Sequence, residues 1–348
     1  MGAHHMTAAA TPGWFPHLLD PINDRVLLVA KSEQDYRDAA FLDERALRPN
    51  TPQQIVDWSA LASAVPPDAR RDVQYIFHIG HVGSTLISRL LGELPQIFAL
   101  REPLIVRTFD EMLAERGRPE ALWDPVSLPA RLDTLAALLS RTFRPGQRTL
   151  VKATSFTSES AAELVPPGSK ALLLTASPER WMETILAGEN SRRTLRAAAQ
   201  THLRRLHRRT GDHRWNLWEM NEGERLAMAW AAEMTSLAQA EEKLPKGATM
   251  WMNFDTFLAA PGGALQMLAA FLGATLDSHA AERLAAHPHM SRYSKATEHS
   301  FGPKEREALL AEARRDHEYA ISDGLRWLEG AARTAPAIVR SIEVSTAI

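Results

Sequence analysis

The chain has no cysteine in 348 residues. That absence removes disulfide scaffolds, iron–sulfur centres, cysteine-based zinc sites and thiol nucleophiles together. It also has no apolar run approaching the ~18 residues that a membrane-spanning helix needs. The most apolar stretches, 26–30 and 171–176, are strand-sized. Net charge is scarce: 40 Lys and Arg against 42 Asp and Glu leave −2, which argues against a general nucleic-acid coat. There is no signal-peptide pattern and no repeat at solenoid or propeller periods, so a cytoplasmic soluble protein is the expectation. What remains is 45% hydrophobic and 24% charged, an ordinary globular composition that excludes wholesale disorder.

The length suits one large α/β domain with elaborations, or two smaller ones. Residues 1–11, with His4 and His5, read as a tag remnant or disordered terminus. Residues 12–70 read as an N-terminal extension packed on the core, with a strand at 25–30 and a helix over 52–64 behind Thr51 as N-cap. From 71 to 330 strand-like runs (73–79, 96–100, 148–152, 170–175, 249–254) alternate with helical patterns (128–140, 178–187, 222–243, 264–272). A helical insertion is expected at about 188–222 and a C-terminal tail at 331–348. Such alternation implies a three-layer α/β sandwich with a mainly parallel central sheet covered on both faces. Ligands then bind beyond the C-terminal strand ends. Arg101-Glu102-Pro103, Ala153-Thr154-Ser155, Ala176-Ser177-Pro178 and Asp255 fall there.

Gly80-His81-Val82-Gly83-Ser84-Thr85 lies between the first of these strands and an apolar helical stretch. Strand, glycine loop and helix present free backbone N–H groups to an anion. The loop is not the nucleoside-triphosphatase P-loop, since Ser84 stands where that motif places lysine. The other reading of these glycines is a turn that lets helix and strand pack closely.

The stretch 77–86 resembles the 5′-phosphosulfate-binding loop of PAPS-dependent sulfotransferases. His81 stands where that family usually has Lys or Arg, and Gly83, Ser84 and Thr85 match its glycine and hydroxyls. Further segments are similar in the same order: Glu102-Pro103, Lys152 at a strand end, Asn253-Phe254-Asp255, Pro261 with Phe271-Leu272-Gly273, and Arg292-Tyr293-Ser294-Lys295. The resemblance covers roughly residues 73–330. It implies a P-loop-like sulfotransferase architecture with a helical lid, PAPS as donor, no metal, and a nucleotide held by Gly80, His81, Val82, Gly83, Ser84, Thr85, Arg180, Thr184, Arg292, Ser294 and Lys295. One position departs from the family. Its 3′-phosphate arginine is Ala176 here, although Thr184 keeps the later hydroxyl. Arg180, Arg193, Arg292 or Lys295 would have to supply the missing charge.

Sulfuryl transfer relies on positioning and on charge at the leaving phosphate. His81 and Lys152 would supply that charge, with Glu102 as the base that deprotonates the acceptor. His81 is a full cation only when protonated, so activity should fall above neutrality. Each residue has a plainer reading: Glu102 as an Arg101 or lysine salt-bridge partner, Lys152 as a solvated lysine, Asp255 as a strand-end cap rather than a second base, and His78 as a satisfied core histidine.

Residues 191–209 contain seven arginines (Arg192, Arg193, Arg196, Arg204, Arg205, Arg208, Arg209) and no acid. Apolar positions recur at three to four, so the stretch reads as amphipathic helix. It could cover an anionic or aromatic small-molecule acceptor, or be a solvated face balanced by Glu219, Glu222 and Glu224. Nucleic-acid binding has no other support in the chain. His279, His287 and His289 lack a neighbouring carboxylate cluster and read as surface histidines. Two other functions stay open: a P-loop-type kinase or NTPase, and a catalytically silent nucleotide-binding or scaffold protein.

Overall fold

The computed structural model describes residues 11–292 and 301–347. Five parallel strands form the central sheet: β4 (Gln74–His78), β5 (Ile97–Arg101), β6 (Arg148–Lys152), β7 (Ala171–Thr175) and β8 (Thr249–Asn253). They follow β1 (Trp14–Asp20), β2 (Arg25–Ala30) and β3 (Gln53–Asp57), which form a separate antiparallel sheet in that order. The spatial order of the central sheet is β5-β6-β4-β7-β8. β4, β5 and β7 are buried along their whole length. Their near-continuous apolar runs are what strands covered on both faces require. The expected α/β class with a parallel, helix-flanked sheet is therefore present.

The strand order also locates the site. After β4 the chain steps to one edge of the sheet; after β5, β6 and β7 it steps the other way. Right-handed crossovers then place the helix after β4 on one face and the later helices on the other. The helix after β4 and the helix after its neighbour β6 thus lie on opposite faces, so the crevice lies at the C-terminal end of β4, between β6 and β7. The glycine loop occupies that end.

Residues 52–64 are not one helix. Gln53–Asp57 is β3, paired with β2 through Val26↔Val56 and Leu27↔Ile55, and only Trp58–Ser63 is helical. A short apolar run does not distinguish the two periods, and here sheet pairing decides. Phe15, Leu19, Val26 and Trp58 of this N-terminal segment share one buried core with the central sheet.

Candidate functional site

Gly80, His81 and Gly83 all adopt positive φ, at 78°, 58° and 62°. Glycine does this at little cost, but a side chain such as that of His81 loses ~1–2 kcal/mol in the left-handed region. Turns of this kind aim successive N–H groups into a common concavity suited to an anion. Gly83 is the N-cap of the helix Ser84–Leu91 and offers no side-chain acceptor to its first N–H groups. The Thr85 and Ser88 hydroxyls on that helix are buried without a hydrogen-bond partner. An oxyanion would satisfy the open N–H groups and the Thr85 hydroxyl together.

Three hydrogen bonds fix the loop. The Gly80 N–H donates to His78 Nδ1 at 3.0 Å, and His78 Nε2 donates to the Ala153 carbonyl at 3.0 Å. Trp181 Nε1 donates to the Gly80 carbonyl at 2.9 Å. His78 is thus the satisfied core histidine. Close packing is also real: a Cβ on Gly83 would overlap the Phe254 ring. Gly83 packs as the second reading of the loop requires.

The residues expected to do chemistry come together beside it. Lys152, 1% exposed, forms an ion pair with Glu102, whose side chain is 15% exposed. Parallel pairing of β5 with β6 brings the two strand ends level, and the Glu102 N–H donates to the Lys152 carbonyl at 2.6 Å. Lys152 is therefore not a solvated lysine. Arg101 does not compete for Glu102, because its buried guanidinium donates to the carbonyls of Ala39 (2.7 Å) and Arg37 (3.0 Å). Glu102 has φ 49°, left-handed like His81, and such outliers persist where surrounding structure enforces them. Sequence reasoning missed Phe41. Its ring lies 5.8 Å from Lys152 Nζ and 3.7 Å from the Arg45 guanidinium, and it lines a cavity of about 330 Å³ with Lys31, Asp35, Arg45 and Arg48.

The expected nucleotide residues are dispersed. Arg180 and Asp255 meet at the ends of β7 and β8, in a cavity of about 640 Å³ that also includes Ser177, Asn253, Arg306 and Glu307. The Arg180 guanidinium is already engaged by Glu183 (3.2 Å), Asp255 (3.4 Å) and Glu307. Asp255 is an ion-pair residue rather than the cap, since Asn253 Oδ1 accepts from the Asp255 and Thr256 N–H groups. The Thr184 hydroxyl donates to the Arg180 carbonyl at 2.8 Å. Arg292 is exposed at the end of a 3-10 turn. Arg193 is exposed and bonded to Asn190. Ser294 and Lys295 lie outside the described residues. Arg306 was not anticipated; it is buried, 2.8 Å from Asp255, and its guanidinium lies 5.1 Å from the Phe254 ring centre.

The arginine stretch is one helix, Glu189–Thr210, and it is largely neutralised. Arg192 and Arg196 bind Glu222, while Arg205, Arg208 and Arg209 converge on Glu159. Glu222 was among the expected counter-charges; Glu159 and Asp110 were not. Asp110 receives the Ser160 hydroxyl at 2.6 Å and lies 3.6 Å from Arg205, yet burial pushes its carboxyl up to about 6. A carboxyl raised in the folded state contributes stability that is complete below its unfolded value near 3.8 and is lost as pH rises through 6. Asp110→Asn keeps an acceptor for Ser160 and removes that loss. Relative to the wild type, it should gain about 2–3 kcal/mol between pH 4 and pH 7. Denaturant unfolding at both pH values checks this, and parallel curves for the two proteins would refute it.

No protein-family model matches the chain, and no curated protein matches it. Similar solved structures include the sulfotransferase domain from the curacin biosynthetic pathway, at 14% identity over 76% of this chain and 99% of that one, with a TM-score of 0.43. The sulfotransferase domain from the Synechococcus PCC 7002 olefin synthase is 14% identical over 76% and 97%, with a TM-score of 0.41. Mouse sulfotransferase SULT7A1 complexed with PAP is 12% identical over 74% and 89%, with a TM-score of 0.34. These neighbours are sulfotransferases, the family that the sequence resembles, and the likeness is one of fold.

Proposed function

We propose that the chain is a sulfotransferase that moves a sulfuryl group from PAPS to a hydroxyl or amine of a small acceptor. The observation that carries the proposal is the loop 80–85 at the end of β4. Its left-handed residues and the partnerless buried Thr85 hydroxyl stand beside the Lys152–Glu102 pair. When bound, PAPS supplies the sulfuryl group and a phosphate leaving group. The N–H groups that open the Ser84–Leu91 helix and the Thr85 hydroxyl hold phosphate oxygens, each interaction at the helix end contributing ~0.3–2 kcal/mol. His81, exposed at the tip of the loop, adds positive charge on the solvent side when protonated. Glu102 accepts the acceptor's proton at its carboxylate, and Lys152 holds that carboxylate in place. Arg180, Arg306 and Thr184 supply the cationic and hydroxyl groups at the other end, with Arg292, Ser294 and Lys295 as the remaining expected contacts.

One observation favours a second reading, a catalytically silent nucleotide-binding or scaffold protein. Arg180 is occupied by three carboxylates, so a 3′-phosphate has to displace existing ion pairs. A kinase reading gains nothing, because Ser84 replaces the P-loop lysine. Thermal shift with 3′,5′-ADP, ADP and ATP, with and without Mg²⁺, tests all three. Selective stabilisation by 3′,5′-ADP without metal is expected. At a hundred times its Kd this ligand adds about 2.7 kcal/mol. A response only to ATP with Mg²⁺ would overturn the proposal. No response to any nucleotide would leave a scaffold. Stabilisation by 3′,5′-ADP without sulfuryl transfer to any acceptor would select the second reading.

A further inference from the structure

His287 and His289 flank Pro288 in a 3-10 turn, Pro288–Ser291. The sequence places no carboxylate near them. The fold supplies one: Glu93, just past the end of the Ser84–Leu91 helix, reaches the turn with Glu93 Oε1 at 3.4 Å from His289 Nε2. One ligand atom from each of Glu93, His287 and His289 lies within 4.8 Å of the others, and the two imidazole rings are 4.3 Å apart centre to centre. Both histidines are half-buried. Glu93 and His289 also line a cavity of about 20 Å³, room for about one water-sized occupant.

We infer that Glu93, His287 and His289 form a binding site for one divalent transition-metal ion of the zinc class. Two imidazoles and a carboxylate are a donor set that suits zinc, with a fourth position left to water. Coordination requires neutral imidazole. His287 Nδ1 now accepts the His289 N–H at 3.2 Å. Whichever ring nitrogen takes the metal, that weak bond is given up. Arg37, 4.0 Å from Glu93 Oε2, opposes a dication, so affinity rests on the three ligand atoms rather than on net charge.

The site ties two parts of the fold that sequence separates widely. Glu93 follows the helix that the glycine loop opens, and the histidine turn leads directly to Arg292. The Phe301 N–H donates to the Ser291 carbonyl at 3.0 Å, so Phe301 is held at this turn. A bound metal would brace the turn against the loop helix.

The test uses the full chain carrying His4→Ala and His5→Ala, which removes the N-terminal histidine pair as a competing ligand. Zn²⁺ is titrated against a chromophoric chelator, Co²⁺ is followed by its visible absorption, and far-UV circular dichroism monitors folding. One equivalent of Zn²⁺ is expected per chain, with Co²⁺ giving a band characteristic of nitrogen and oxygen ligands. His289→Ala and Glu93→Gln should each weaken binding by about 100-fold or more, beyond the usual effect of removing an outer-shell partner. His279→Ala should leave it unchanged. His289→Ala keeps the backbone N–H that His287 caps, and Glu93→Gln leaves the residues of the turn unchanged. Absence of stoichiometric Zn²⁺ binding would overturn the inference, as would binding that neither variant weakens. Neither result bears on nucleotide binding, so this site stands or falls separately from the sulfotransferase reading.

Discussion

Lys152→Met is expected to cost about 3–5 kcal/mol, the usual penalty for removing one partner of a buried ion pair. Methionine keeps the unbranched volume of the lysine stem, so cavity formation adds little. The cost comes from Glu102, whose carboxylate loses its partner at a site only 15% exposed. That residual exposure puts the expectation at the lower end of the range. Glu102→Gln in the same chain should recover much of the loss, because two neutral groups need no compensation. A double-mutant cycle by guanidinium denaturation isolates the coupling, since the two residues are in contact. Additive single effects, or a Lys152→Met cost below about 1 kcal/mol, the level of an exposed pair, would show that the ion pair contributes little. The double variant also separates structure from chemistry. If its stability returns and sulfuryl transfer does not, Glu102 and Lys152 act in the reaction and not only in the fold.

The central sheet was legible because its strands are short, apolar and separated by helices of clear period. Arg148–Lys152 and Glu222–Lys243 have the expected bounds. Glu102 and Lys152 were legible for the same reason: parallel strands that start level end level, and both residues stand at strand ends. Their ion pair was one of the two outcomes left open for Glu102. What the sequence concealed was pairing at long range. Arg306 lies 51 positions from Asp255, and Arg209 lies 50 from Glu159. Acids near the arginine stretch in sequence were therefore only part of its counter-charge. An arginine-rich run reads as a positive surface until the fold supplies its carboxylates. Gln53–Asp57 failed for a different reason. Its strand identity depends on β2 beside it, which no local pattern contains.

Gly83→Ala tests which of two demands put a glycine in the loop. The left-handed φ of 62° costs an alanine ~1–2 kcal/mol. The new Cβ would also collide with the Phe254 ring. That ring cannot move freely: the Arg306 guanidinium lies over it and Phe257 stacks beside it, 6.2 Å away between centres. Forcing it aside adds about 1–3 kcal/mol, the usual range for overpacking. A total loss of about 2–5 kcal/mol is therefore expected, together with loss of the thermal response to 3′,5′-ADP. Phe254→Ala in the same chain removes the collision and leaves the backbone demand. The double variant should therefore sit closer in stability to Phe254→Ala alone than the single variant sits to the wild type. It should still fail to respond to 3′,5′-ADP, because an alanine that relaxes away from positive φ turns the helix's first N–H groups off the concavity. Return of the response in the double variant would mean that Gly83 serves only the packing of Phe254, and the demand for a left-handed residue at the start of the helix would fall.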